Sequence, residues 1–208
     1  MKEVDIEHWN RKEHFQFFSK MASPFFGIVT EVDCTAAYRK VKELNIPFFA
    51  FYLHRSMMAV NRTEAFRYRI IDGRVYIFDI VHAAATAARD DDTFAFIFVR
   101  FSENFEEFNR ELQREFEEVR HSTGLRLNGD HTKKDLIRHS VLPWTHFTAL
   151  LHPTNLDPNE SVPKITFGKF TEREGRKYLP VSVEAHHGLM DGLHISKYLN
   201  EFQQLLNE

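Results

Sequence analysis

Toward its C-terminal end the chain reads Ala185-His186-His187-Gly188-Leu189-Met190-Asp191-Gly192, and His187 is the residue there best suited to chemistry. An imidazole has an unperturbed pKa of roughly 6.5, so it takes up and returns a proton near neutral pH. Acyl transfer to an alcohol needs such a base for the attacking hydroxyl. It also needs a donor for the oxyanion that forms on the acyl carbonyl, and a frame that holds the reactants in line. Asp191 can anchor the loop while Gly192 turns it. Adjacent histidines on a strand point to opposite faces, so only one can serve a given site. That geometry disfavours a two-histidine metal centre, and His187 with His194 offers no recognisable ligand spacing. No metal is expected.

The elements around this segment follow from hydrophobic periodicity. Tyr178 to His186 alternates, with Leu179, Val181, Val183 and Ala185 on one face and Ser182, Glu184 and His186 on the other, so it reads as a strand. Ile195, Tyr198, Leu199, Phe202, Leu205 and Leu206 then mark an amphipathic helix. The His-His segment therefore lies on a strand-to-helix loop, where functional groups are commonly presented. Upstream, Asp33 to Leu44 has helical spacing with Asp33 as its N-cap, and Pro47 to Val60 is apolar on nearly every side, as a buried helix would be. Ala65 to Ile71 and Val75 to Ile80 flank Asp72-Gly73, a tight-turn signal that predicts a hairpin. Thr93 to Phe101 reads as a strand. Phe105, Phe108, Leu112, Phe116 and Val119 predict a helix with a solvated acidic face, and Gly124 to Lys134 a polar loop. Ile137 to Val141 and Lys164 to Glu172 are further strands. The second of these is joined to the final strand by a turn at Glu174-Gly175-Arg176.

Interleaved helices and strands, with no repeat or linker, indicate one α/β domain over residues 1–208. The 21 Phe suit core filling more than a ligand cage. A net charge of -3 gives no reason to expect nucleic acid as a partner. Without an apolar run of about 18 residues or a signal-like N-terminus, neither a membrane span nor export is expected. One cysteine, Cys34, excludes an intrachain disulfide. A cytoplasmic protein is the reading.

The segment matches the His-His-x-x-x-Asp-Gly signature of a superfamily of coenzyme A-dependent acyltransferases. Other stretches narrow the resemblance. Trp9-Asn10-Arg11-Lys12-Glu13-His14-Phe15, Phe66-Arg67-Tyr68-Arg69 with Asp72-Gly73, Ser140-Val141-Leu142-Pro143-Trp144, Ile165-Thr166-Phe167-Gly168-Lys169 and Leu179-Pro180-Val181-Ser182-Val183 occur in the order found in chloramphenicol acetyltransferases. The chain resembles that family from about residue 5 to 206. The resemblance implies a two-layer α/β sandwich with a mixed sheet, and a homotrimer whose active sites lie between subunits. It implies acetyl transfer from acetyl-CoA to a hydroxyl, with chloramphenicol the leading acceptor. His187 would be the general base, its other ring nitrogen fixed by its own backbone carbonyl. Ser140 would donate to the oxyanion, Thr166 would hold a water beside it, and Asp191 would pair with Arg11. Trp144 and Lys169 would line the coenzyme A path, and Phe17, Phe18, Arg138 and Leu150 would face the acceptor.

Several positions depart from the family pattern. Met190 stands where family members often carry Cys, Phe18 where they have an acceptor-side Tyr, Arg138 where Asn is usual, and Glu184 where Gln is usual. Leu150 and His152 replace an aromatic and an aliphatic residue. These changes leave the catalytic set intact and bear on the acceptor. A different small alcohol, or a trimeric binding protein without turnover, are the rival readings.

Overall fold

The structure is a computed structural model that describes residues 1–127, 132–154 and 156–208. In chain order the strands are β1 (Lys2–Glu3), β2 (Phe25–Asp33), β3 (Tyr68–Ile71), β4 (Arg74–Ile77), β5 (His82–Ala88), β6 (Phe94–Val99), β7 (Leu136–Leu142), β8 (Lys164–Gly168), β9 (Thr171–Arg173) and β10 (Arg176–His186). The helices are α1 (Lys12–Phe18), α2 (Thr35–Leu44), α3 (Phe48–Arg62), α4 (Phe105–Arg120) and α5 (Gly192–Asn207).

The alternation of β10 sets the sheet. Leu179, Val181, Val183 and Ala185 join Ile165, Phe167, Ile97 and Val99 in one core with Leu53, Met57 and Val60 of α3 and Tyr198 and Phe202 of α5. The main sheet runs β2-β10-β8-β7-β5-β6, with β9 beside β10. The β7–β8 and β5–β7 pairs are parallel and the others antiparallel, so the sheet is mixed as expected. Residues that alternate away from the core fall into register across three strands. Ser140 of β7 lies opposite Thr166 of β8, and Thr166 opposite Ser182 of β10. One row over, Arg138, Lys164 and Glu184 align in the same way. The sheet thus carries a polar stripe on the side away from its core.

The predicted hairpin forms, with Asp72 and Gly73 both at positive φ, as a tight two-residue turn requires. It is shorter than its hydrophobic pattern suggests: residues 64–67 form a 3-10 turn that buries Phe66, and β3 begins at Tyr68. Asp33 is the last residue of β2 rather than a helix cap. Its Oδ1 still accepts from the Thr35 N–H at 2.9 Å, and Cys34 takes the cap position. The Lys164 to Glu172 stretch splits into β8 and β9 around Lys169-Phe170. The acidic face of α4 is not wholly solvated: Glu115 is buried, paired with Arg126 at 3.0 Å, and accepts from the Phe98 N–H. Of the polar loop at 124–134, residues 128–131, including Asn128-Gly129-Asp130, lie outside the described residues. Three strands, β1, β2 and β5, are not indicated by the periodicity. Strand β5 reads His-Ala-Ala-Ala-Thr-Ala-Ala, a composition that favours helix. Pairing on both sides and burial of Ala83, Ala85 and Ala87 override that preference.

Arg69 ties the hairpin to the strand that carries Ser140. It is completely buried and faces four carbonyls: Nε donates to Lys134, Nη1 to Phe66 and Tyr68, and Nη2 to Leu136, at 2.5–2.8 Å. Replacing Arg69 by Met would leave these acceptors dry. We expect a loss of at least about 3 kcal/mol in denaturant unfolding, with Arg69→Lys recovering only part because an ammonium cannot span the same fork.

Candidate active site

The two adjacent histidines occupy different environments. His186 ends β10 and is buried edge-on against Phe25 at 5.8 Å. Its Nδ1 accepts from the Gly188 N–H at 3.1 Å, so its proton sits on Nε2. Burial pushes its pKa down to about 4. The chain turns hard here, the His186 carbonyl accepting from the Leu189 N–H at 3.0 Å. A Cβ at Gly188 would come within 3.0 Å of the His186 ring and 3.2 Å of the Phe15 Cα, so only glycine fits without displacing α1. His186 is a packing residue.

His187 is half-buried. Its N–H donates to the Pro24 carbonyl at 2.8 Å, and its ring stacks on Phe18 at 4.0 Å and against Phe26 at 4.5 Å. The expected bond from Nδ1 to its own carbonyl is absent. Nδ1 is buried without a partner among the described residues, and the carbonyl instead accepts from Arg11 Nη2 at 3.0 Å. The ring is therefore oriented by two aromatic faces rather than by a hydrogen bond. Nε2 is the nitrogen left open.

Arg11 also donates from Nη1 to Asp191 Oδ2 at 2.6 Å. The other oxygen, Oδ1, caps α5 by accepting from the Leu193 N–H at 3.0 Å and lies 2.8 Å from His194 Nδ1. Partial burial opposes ionisation of Asp191, but the hydrogen bonds from Arg11 and His194 outweigh it and hold the carboxyl well below the usual range. One guanidinium thus braces both ends of the His187–Asp191 loop.

Ser140 lies elsewhere. It lines a cleft of about 690 Å³ with Phe48, Tyr52, Trp144 and Lys169. Trp144 is 71% exposed at its edge. The Ser140 hydroxyl bonds no other described residue. Thr166, by contrast, is fully buried, and its Oγ1 lies 2.8 Å from His152 Nε2. His152 Nδ1 is 3.0 Å from Glu184 Oε2, and Lys164 Nζ donates to Glu184 Oε1 at 3.0 Å. Arg138 is paired with Glu160 at 2.9 Å. Leu150 is half-buried in the irregular segment before His152, and Phe17 is 62% exposed, edge-on to Phe18. Phe26 and His152 are additions that periodicity did not supply: Phe26 sits on an unforeseen strand, and His152 in an unstructured stretch. Glu184 had one signal, its place on the polar face of the predicted strand.

These residues make two clusters. His187, Arg11, Asp191, Phe18 and Phe26 form one, and Ser140, Thr166, Trp144 and Lys169 the other. His187 follows Ser182 by five residues, and Ser140 is two strands away from Ser182. At roughly 3.3 Å per residue and 4.8 Å per strand, the two side chains are on the order of 20 Å apart within one chain. Reacting atoms must approach to about 3–3.5 Å. Among the described residues no group of three or more His, Cys, Asp or Glu could hold a metal.

Two predictions follow from this geometry. The depressed Asp191 carboxyl contributes stability that is fully present above its unfolded pKa near 3.8 and is lost as pH falls below it. The stability gap between the native chain and Asp191→Asn should therefore begin to close below about pH 4 and keep closing as pH falls through the folded pKa in acid unfolding curves. Cys34 is fully buried, and desolvation, with Asp33 adding to it, pushes its thiol up to about 12. Met190 is buried and puts no thiol in the histidine loop. Iodoacetamide should label Cys34 only under denaturing conditions, as read by intact mass, and leave any activity untouched.

Known proteins share both the fold and the sequence. A chloramphenicol acetyltransferase from Escherichia coli is 28% identical over 207 residues, covering 99% of this chain and 93% of the relative. Chloramphenicol acetyltransferase 2 from Haemophilus influenzae is 28% identical over 205 residues, covering 97% and 95%. A solved chloramphenicol acetyltransferase superposes with a TM-score of 0.92 at 28% identity over 99% of this chain and all of that one. A probable dihydrolipoamide acetyltransferase from Listeria monocytogenes shares the fold at a TM-score of 0.66 and 15% identity, covering 99% and 94%. The family description for chloramphenicol acetyltransferase matches residues 1–203, and with a braced histidine loop and a serine-lined cleft on that fold, the chain belongs to the chloramphenicol acetyltransferase family.

Proposed function

We propose that the chain is an acetyl-CoA-dependent O-acetyltransferase, with chloramphenicol its leading acceptor, and that it works as a homotrimer with its sites between subunits. The observation that carries this reading is the separation of the two clusters on one sheet. A base and an oxyanion donor on the order of 20 Å apart in one chain can act together only if a second copy brings His187 to the Ser140 cleft. His187 Nε2 takes the proton of the acceptor hydroxyl as that oxygen attacks the thioester carbonyl. Ser140, whose hydroxyl is uncommitted, donates to the developing oxyanion, and Thr166 on the next strand holds a water beside it. Arg11 and Asp191 do not touch substrate. They hold the loop so that Nε2 points outward. The apolar cleft suits the pantetheine arm of coenzyme A, with Trp144 along it and Lys169 placed for the anionic end. Phe17, Phe18, Arg138 and Leu150 face the acceptor side.

A different small alcohol is the second reading. The stripe beside Ser140 carries Arg138, Glu160, Lys164, His152 and Glu184, groups that suit a polar acceptor. No helix among the described residues is long and apolar enough to cross a membrane, and we place the reaction in the cytoplasm, where acetyl-CoA is available.

Thiol release from acetyl-CoA with chloramphenicol tests the proposal. His187→Ala should lower kcat at least about 10²-fold, and Ser140→Ala by about 10²-fold as the loss of an oxyanion donor. Refolding the two inactive variants together should restore part of the activity, because mixed trimers contain sites that pair an intact His187 with an intact Ser140. Acetyl-CoA binding without turnover on any alcohol, or no recovery on mixing, would count against the reading.

A further inference from the structure

The side chains of Lys164, Glu184, His152 and Thr166 form an unbroken line on the polar side of the sheet. Lys164 Nζ meets Glu184 Oε1 at 3.0 Å, Glu184 Oε2 meets His152 Nδ1 at 3.0 Å, and His152 Nε2 meets Thr166 Oγ1 at 2.8 Å. Lys164 also holds the segment bearing His152, donating to the Pro153 carbonyl at 3.0 Å and to the Thr154 hydroxyl at 3.2 Å. Lys164 and Thr166 are on β8, Glu184 is on β10, and Ser140 faces Thr166 from β7. His152 comes from outside the sheet and is strapped down onto it.

Hydrogen-bond bookkeeping fixes the direction of the line. Glu184 is mostly buried and has one donor on each oxygen. Burial raises its pKa, but His152 and Lys164 prevail and keep the carboxyl below its usual range. As a carboxylate it can only accept, so His152 Nδ1 must carry a proton. One ammonium and one carboxylate already balance, and an imidazolium would add an uncompensated charge in a mostly buried place. The neutral ring then has a bare Nε2, which can only accept. Thr166 therefore donates its hydroxyl proton to His152.

We propose that His152, held by Glu184, is a positioning residue for Thr166: its Nε2 accepts the hydrogen bond of the Thr166 hydroxyl and leaves the Thr166 oxygen, buried beside Ser140, able only to accept. This rests on the acetyltransferase reading above. The division of labour is then set by bonding. Ser140, with an uncommitted hydroxyl, is the donor to the oxyanion. Thr166 can only accept, so it engages a group that brings its own proton, a bridging water, since the one proton of the acceptor hydroxyl goes to His187. Glutamine at 184 could not maintain this polarity. Its single oxygen cannot serve both Lys164 and His152, and an amide N–H turned to Nδ1 would shift the imidazole proton to Nε2 and reverse the bond to Thr166.

The test has a spectroscopic and a kinetic arm on the full-length protein. With nitrogen-15 in the imidazoles, the His152 resonances, assigned by their loss in His152→Leu, should report protonated Nδ1 and bare Nε2 without any substrate. Glu184→Gln should exchange the two. A protonated Nε2 in the native chain would overturn the assignment, whether or not the protein acetylates anything. In turnover with acetyl-CoA and chloramphenicol, His152→Leu should lower kcat about tenfold, below the roughly 10²–10³-fold cost of deleting an oxyanion donor, with KM for acetyl-CoA within about twofold of native. In a Thr166→Val background the same change should cost nothing further, since Val has no proton to orient. A tenfold loss that persists there, in proteins of equal melting temperature, would mean that His152 acts independently of Thr166 and would sink the proposal. Loss of turnover in the native chain would sink the acetyltransferase reading alone, and the nitrogen resonances would still decide the bond.

Discussion

The guanidinium of Arg11 joins parts of the chain 180 residues apart, and the geometry of the histidine loop depends on it. One arm holds the carboxylate of Asp191, which in turn caps α5, and the other holds the backbone carbonyl of His187. Arg11 sits at the start of α1, the helix that also delivers Phe18 to the face of the His187 ring. A single planar fork therefore sets the loop, the helix after it and the aromatic wall beside it in one frame. An ammonium in its place could hold one of these partners but not both in that geometry. Fixing a loop costs conformational entropy. Here that cost is offset by charge-assisted hydrogen bonds in a largely buried place, where they are stronger than at the surface.

The sheet sorts chemistry from stability by parity. On β10, odd-numbered Leu179, Val181, Val183 and Ala185 go to the core, and even-numbered Ser182 and Glu184 go to the polar stripe. A one-residue slip would exchange the two sets, so the core that stabilises the fold also fixes the register of the polar row. Arg69 secures the same relation for β7 through the carbonyls at its entry. Glycine contributes where space runs out. At Gly168 a Cβ would sit 2.7 Å from the Pro180 ring and 2.9 Å from Phe147, so β8 packs against its neighbours only without a side chain there.

Much of this was legible in the sequence because periodicity reports a residue's face. The alternation of β10, the apolar run of α3, the Asp72-Gly73 turn and the spacing of α5 each translated directly into structure. The signature residues of the loop could be read as a set because they are close in sequence. What remained hidden depended on tertiary partners. The alanines of β5 favour helix until two neighbouring strands pair with them. Phe26 enters the His187 site only because β2 lies alongside β10. His152 was visible as a departure from the family pattern, but nothing local could reveal that it would reach Glu184 and Thr166. The support of the His187 ring differs too: Arg11 takes the carbonyl that the family resemblance assigns to the ring.

Environment also selects among the histidines. A general base needs a nitrogen with a free lone pair and access to its substrate. Burial pushes His54, His139 and His186 down to about 4. His54 has its Nε2 on the Ser102 carbonyl, His139 is stacked on Phe167, and His186 has its Nδ1 under the Gly188 amide. His82 Nδ1 accepts from the Phe101 N–H, and His194 Nδ1 is turned to Asp191. His152 has a partner on each nitrogen. His187 differs from all of these: its ring is fixed by aromatic stacking and its loop by an ion pair, while Nε2 stays open. Stacking orients the ring without occupying a nitrogen, so the contacts that aim the His187 ring leave Nε2 free for the proposed role of base.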